Sequence, residues 1–138
     1  AHINGLDAYK WISAGYACHI HGGTIRAYIK PVYCKDDDIS APVTDISSGM
    51  TVGLRYLQFG NNAPVGVNVI LGTHKRVKVN VRLDSYRGRI AAELDFDEDE
   101  YDKSSKLYFG IVGKHAVYFE FISDEDGMIA EFDRFTFD

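Results

Sequence analysis

Val77-Lys78-Val79-Asn80-Val81-Arg82-Leu83 is the stretch that decides the fold. Its apolar side chains fall at every second position with charged or amide residues between them. That period of two turns one face of a strand to a core and the other face outward. Val117, Phe119 and Phe121 alternate with Tyr118 and Glu120 in the same way, and Val67, Val69 and Leu71 repeat the pattern. Ser85 to Gly88 and Ser123 to Gly127 carry turn residues beyond such runs. Gly22-Gly23 stands between Tyr16 to His21 and Thr24 to Ile29, and paired glycines suit the positive φ angles of a tight hairpin. No window of about 12 residues holds a helical period, and only Leu6 to Ile12 suggests a short helical turn. Short strands without helical crossovers predict an all-β chain, an antiparallel β-sandwich of the jelly-roll type.

The chain has 138 residues, which at roughly 150 residues per domain predicts one domain over 1–138. With 46% hydrophobic and 13% aromatic residues it has the material for a core, which excludes the disordered classes. Fifteen basic against twenty acidic residues leave a formal charge of −5. That sign repels phosphate backbones and anionic lipids, so neither nucleic acid nor membrane is an expected partner, and the chain is read as a monomer. No apolar run approaches the roughly 20 residues of a membrane span. Ala1-His2-Ile3-Asn4-Gly5 has no basic region leading into an apolar one, and a start without Met fits a module cut from a longer polypeptide. Cys18 and Cys34 are too few for a disulfide framework; one bridge stays open, and two free, buried thiols are the expected state.

His19 and His21 project from one face of a strand and resemble the H-x-H of cupin metal sites, but Thr24-Ile25-Arg26 follow where that pattern has a Glu. Acidic residues gather from Asp95 to Asp102, at Asp124-Glu125-Asp126 and at Asp36-Asp37-Asp38; hard cations want such oxygens, yet none of these runs has the spacing of a calcium loop. There is no nucleophile elbow, no H-E-x-x-H and no phosphate-binding glycine loop. Tyr9, Trp11, Tyr33, Tyr86, Tyr101 and Tyr118 stand beside polar or turn residues, where some must reach the surface. An exposed ring can pack on the C–H face of a sugar while amides and carboxylates take its hydroxyls.

Three blocks resemble family 6 carbohydrate-binding modules, in particular the family-6-like C-terminal domain of some glycoside hydrolase family 43 enzymes. GMTVGLRYLQFG, Gly49 to Gly60, is similar to the segment G-D-Y-x-x-Y-x-x-V-D-F-G, and VKVNVRLDSYRGRIAAEL, Val77 to Leu94, is similar to the following strand pair. GKHAVYFEF and EFDRFTFD, from Gly113 and Glu131, resemble the closing strands. The resemblance implies a sugar site at one end of the sandwich, formed by aromatic rings and an Asn before the last strand. Tyr101 stands where the family has Trp, Glu131 where it has the Asn, and Tyr33 is the candidate second ring. A second implied site lies on an open sheet face, with Asn68, Asn80, Arg82, Tyr118 and Glu120 pointing outward on adjacent strands. Structural calcium is implied only through Asp133, since both acids of the family's early strand are replaced in Ile25-Arg26-Ala27-Tyr28. No other cofactor is expected.

The implied function is a non-catalytic module, part of a secreted or cell-surface enzyme. It would bind a plant or algal polysaccharide, xylan or arabinoxylan favoured, and concentrate a covalently linked glycoside hydrolase on it. Two alternatives stay open: an ancillary domain that has lost its sugar site and packs against a catalytic domain, and a small cupin-like metal enzyme using His19 and His21.

Overall fold

A computed structural model describes residues 6–23, 27–29, 32–33, 39–40, 42–72 and 75–138. In chain order the strands are β1 (Leu6–Asp7), β2 (Ile12–Ser13), β3 (His19–His21), β4 (Tyr28–Ile29), β5 (Val32–Tyr33), β6 (Ile39–Ser40) and β7 (Val43–Ser47). They continue with β8 (Met50–Gln58), β9 (Gly66–Gly72), β10 (Val77–Leu83), β11 (Ile90–Phe96), β12 (Asp102–Lys106), β13 (Lys114–Ile122) and β14 (Met128–Phe137). The first sheet runs β1-β8-β13-β10-β11 with β3 also on β8, and the second runs β12-β9-β14-β7-β4 with β2 on β14; β5 pairs with β6. Every described pairing is antiparallel except β1 with β8. The sandwich expected from the alternation is the fold observed.

Val79, Val81, Val117, Phe119 and Phe121 line the inner face of the first sheet, and Val67, Val69, Leu71, Phe132 and Phe135 that of the second; all are buried. The layers meet through rings. Phe119 lies 4.8 Å from Phe132 and 4.7 Å from Phe135 between centroids, and Phe121 lies 5.5 Å from Phe132, all tilted. Such angled contacts at these distances suit the aromatic quadrupole. Phe132 and Phe135 are three apart and would face opposite ways in a regular strand. A register shift against β9 between Phe132 and Arg134 turns both inward.

Three local expectations change. β3 joins β8 in the first sheet and β4 joins β7 in the second, so Gly22-Gly23 opens a passage between sheets rather than a hairpin. Both glycines do have positive φ, 90° and 76°. A Cβ on Gly22 would stand 2.7 Å from the Gly49 carbonyl oxygen, so this crossing needs glycine. Leu6 to Ile12 closes one turn, the Lys10 N–H donating to the Asp7 carbonyl at 3.3 Å, but no helix; the only 3-10 helix among the described residues is Ala14–Tyr16, where Ser13 Oγ accepts the Gly15 N–H at 3.2 Å. Cys18 is free and exposed rather than buried, while Cys34 and Asp36-Asp37-Asp38 lie outside the described residues. Ser85 to Gly88 makes the expected turn between β10 and β11, and Ser123 to Gly127 carries the chain from β13 to β14 in the other sheet.

Removing the ring that joins the layers tests this packing. Phe119→Ala is expected to cost about 3–5 kcal/mol, seen as a lower urea midpoint with unchanged slope; a midpoint shift below about 1 kcal/mol would show that the two sheets do not depend on this contact.

Candidate functional site

The outward residues of the first sheet line up across its strands. One row runs His21, Thr51, Glu120, Asn80, and the next runs His19, Gly53, Tyr118, Arg82. Over these rows lies a groove of about 340 Å³ lined by His21, Thr51, Arg82, Tyr86, Arg87 and Glu120.

The floor is fixed by one carboxylate. Glu120 Oε1 accepts from Asn80 Nδ2 at 3.0 Å, from Arg82 Nε at 3.2 Å and from Arg82 Nη2 at 3.1 Å. Charge-assisted bonds of this kind are shorter and stronger than neutral ones. Arg82 Nη1 donates to the Gly88 carbonyl at 2.8 Å, which ties the floor to the β10–β11 turn. The turn is held from its other end too: the Asp84 N–H donates to the Ala116 carbonyl at 2.8 Å, and the Asp84 carboxylate meets His115 Nδ1 at 2.9 Å. Gly88 itself is required there, because a Cβ would overlap the Leu83 carbonyl oxygen. Between these anchors stand Tyr86, 42% exposed, and Arg87, whose guanidinium lies 5.3 Å over the Tyr86 ring.

Asn80, Arg82 and Glu120 are therefore brought together on one face, as the family resemblance implied. Tyr118 shares their face but is only 8% exposed, against the expectation of a displayed platform. It lies down over Gly53, where a Cβ would come within 2.5 Å of the ring, and its ring meets His19 edge-on at 5.7 Å. Asn68 does not belong to the group: it sits on β9 in the second sheet, opposite Ser104 and Thr136. The ring displayed at this groove is that of Tyr86, whose position in a turn among polar residues is the signal for it in the sequence. Thr51 and His21 reach the groove only through the pairing of β3 and β13 with β8, which no local pattern reveals.

Tyr101 and Glu131 lie elsewhere, on either side of the end of β9. The Leu71 N–H donates to the Tyr101 carbonyl at 2.9 Å, and Glu131 is the register partner of Gly72 with Oε2 3.8 Å from where a Cβ on that glycine would stand. The two flank one strand end from either side, with Tyr101 49% exposed. Tyr33 lies in β5, and its side chain is outside the described residues.

Metal sites find little support. Among the described residues no three His, Cys, Asp or Glu side chains converge, so His19 and His21 lack a third ligand. Asp133 pairs with Arg134 Nε at 3.4 Å, and no acid stands at Ala27 or Tyr28 to join it. These residues do not compose an oxygen cage for calcium.

No protein-family model matches the chain, and no curated protein matches it by sequence. Solved structures do. A glycoside hydrolase family 43 arabinoxylan arabinofuranohydrolase from Bacillus subtilis, in complex with cellotetraose, superposes with a TM-score of 0.84 at 20% identity over 98% of this chain; the chain spans 28% of that enzyme's length. A family 6 module from Clostridium stercorarium in complex with cellobiose matches with a TM-score of 0.76 at 17% identity, over 96% of this chain and 95% of the module. One from Clostridium cellulolyticum in complex with xylose matches at 0.74 and 20% identity, over 96% of this chain and 98% of the module. The chain has the fold of the family 6 carbohydrate-binding modules. Within this family 6 fold the groove lies on the outer face of one sheet, and Tyr101 with Glu131 marks an end of the other.

One titration reports on the sheet face beside the groove. Burial first, then His21 and Arg55, lower the pKa of His19 from its ordinary 6.5. His19 Nε2 is also buried without a hydrogen-bond partner among the described residues. As pH falls, the unfolded chain takes up this proton before the folded one. His19 therefore costs no stability above about pH 6.5, and stability is lost as pH drops from there through the lower folded value. The melting temperature is expected to decline below that pH, and His19→Asn to flatten part of the decline; superimposable profiles for the two proteins would refute the assignment.

Proposed function

We propose that the chain is a non-catalytic module that binds a polysaccharide and holds an attached glycoside hydrolase against it. The observation that carries this reading is the ring of Tyr86, displayed by an anchored turn beside fixed polar groups. A flat ring packs on the C–H face of a pyranose, while Arg87, His21 and Thr51 offer hydrogen bonds to its substituents. The likeness to modules holding cellobiose and xylose supports it. The non-catalytic part of the reading rests on Glu120 standing as the one carboxylate among the described residues lining the groove, where glycoside hydrolysis uses a pair.

Xylan or arabinoxylan is the proposed polymer, because the structurally similar arabinofuranohydrolase is an arabinoxylan enzyme in which a domain of this shape makes up only part of the chain. A partner of that kind places the protein outside the cell or on its surface. Sugar hydroxyls exchange water for protein at a net gain of about 0.5–1.5 kcal/mol per bond. Affinities in the millimolar to micromolar range follow, about −4 to −8 kcal/mol. A second reading places the sugar at the end of β9, favoured by the exposed Tyr101 on one side of that strand and Glu131 on the other.

Affinity electrophoresis in xylan, arabinoxylan, β-1,3-glucan and a soluble cellulose derivative, with calcium or with a chelator, tests these readings. Retardation by xylan or arabinoxylan is expected, unchanged by the chelator. Tyr86→Ala should weaken it about tenfold, a loss of about 1.4 kcal/mol, with Tyr101→Ala and Glu131→Ala nearer to wild type. The reverse order moves the site to the end of β9. Free migration in every gel removes the adhesive function and leaves a domain that only packs against its neighbour.

A further inference from the structure

We infer that the groove prefers a saccharide carrying a carboxylate, a uronate-bearing glycan, and that Arg87 receives that group; this rests on the glycan-binding reading above. Of the charged groups in the groove, one lacks a partner of opposite sign among the described residues. Arg82 is paired in charge with Glu120 through Nε and Nη2, and its Nη1 donates to Gly88, so three of its five N–H groups are taken. Glu120 is the one carboxylate among the described residues lining the groove, and its Oε1 already holds Arg82 and Asn80. Arg87 differs from both. It rests over Tyr86, and no carboxylate among the described residues forms an ion pair with it.

Across the same groove His21 is exposed, its ring 6.0 Å from that of Tyr86. Arg87 thus carries a full positive charge at the rim of the stacking ring, without a carboxylate of its own among the described residues. A neutral sugar hydroxyl both gives and accepts a proton, whereas a carboxylate only accepts. Its two oxygens match the fork of a guanidinium, and the planar Arg87 is already oriented by Tyr86. This local cation stands against a chain of net charge −5, so the attraction is confined to the groove rather than a property of the whole surface.

The test is isothermal titration of the whole chain with acidic oligosaccharides from glucuronoxylan, and with the same oligosaccharides after each carboxyl is reduced to the alcohol. Backbone and branch are then identical and only the charge differs. The acidic set is expected to bind at least tenfold more tightly. That gap should close in Arg87→Gln, survive in part in Arg87→Lys, and narrow at about 0.5 M salt, where charges are screened within a few ångströms. An unchanged melting temperature shows that the variants remain folded. Equal affinity for the two sets, or a gap that persists in Arg87→Gln, overturns the inference while leaving glycan binding intact. Binding of neither set overturns the inference and the xylan reading together.

Discussion

Everything in this molecule hangs on the meeting of Phe119 with Phe132 and Phe135 across the two sheets. A β-strand has two faces, and a sandwich holds only if one of them is given wholly to apolar contact. Once Phe119 and its neighbours at every second position occupy the interior, Tyr118 and Glu120 must stand on the other side. The same parity, carried through the register of β10, β13, β8 and β3, sets Arg82, Asn80, Thr51 and His21 beside them. The outer surface is thus a by-product of the core: choosing what is inside chooses which polar side chains are neighbours outside.

Those neighbours then sort themselves by charge. Asn80 and Arg82 converge on one oxygen of Glu120, a half-buried cluster whose geometry is fixed by two paired strands, β10 and β13. Such a cluster resists rearrangement because releasing any member would leave a partly desolvated charge without its partner. Freed from that cluster, the reach of the groove passes to residues of the turn, which lie above the floor and face solvent.

The order of the strands' faces was legible in single runs, because alternation is a local property of Val77–Leu83 and Lys114–Ile122. Pairing was not. Gly22-Gly23 looks like a hairpin because its flanking runs are adjacent in sequence, yet one flank hydrogen-bonds to Thr51–Gly53 and the other to Val43–Thr44. Tyr118 shows the same limit at the level of one ring. Parity put it on the correct face, but whether it stands up or lies flat depends on Gly53 across the ladder, and a missing side chain there lets it collapse. Asn68 has the right parity on the wrong sheet. Tyr101 and Glu131, distant in sequence, lie on either side of one strand end, a placement set by strand pairing that periodicity does not reveal.

The β10–β11 turn is clamped at both shoulders, by Arg82 on Gly88 and by His115 on Asp84, and neither clamp involves the two residues at its tip. Tyr86 and Arg87 are consequently an interchangeable cassette: they can be rewritten without disturbing either the interior or the hinges of the loop. A scaffold with that separation lends itself to grafting, since new tip residues would re-address the same β-framework to a different polymer.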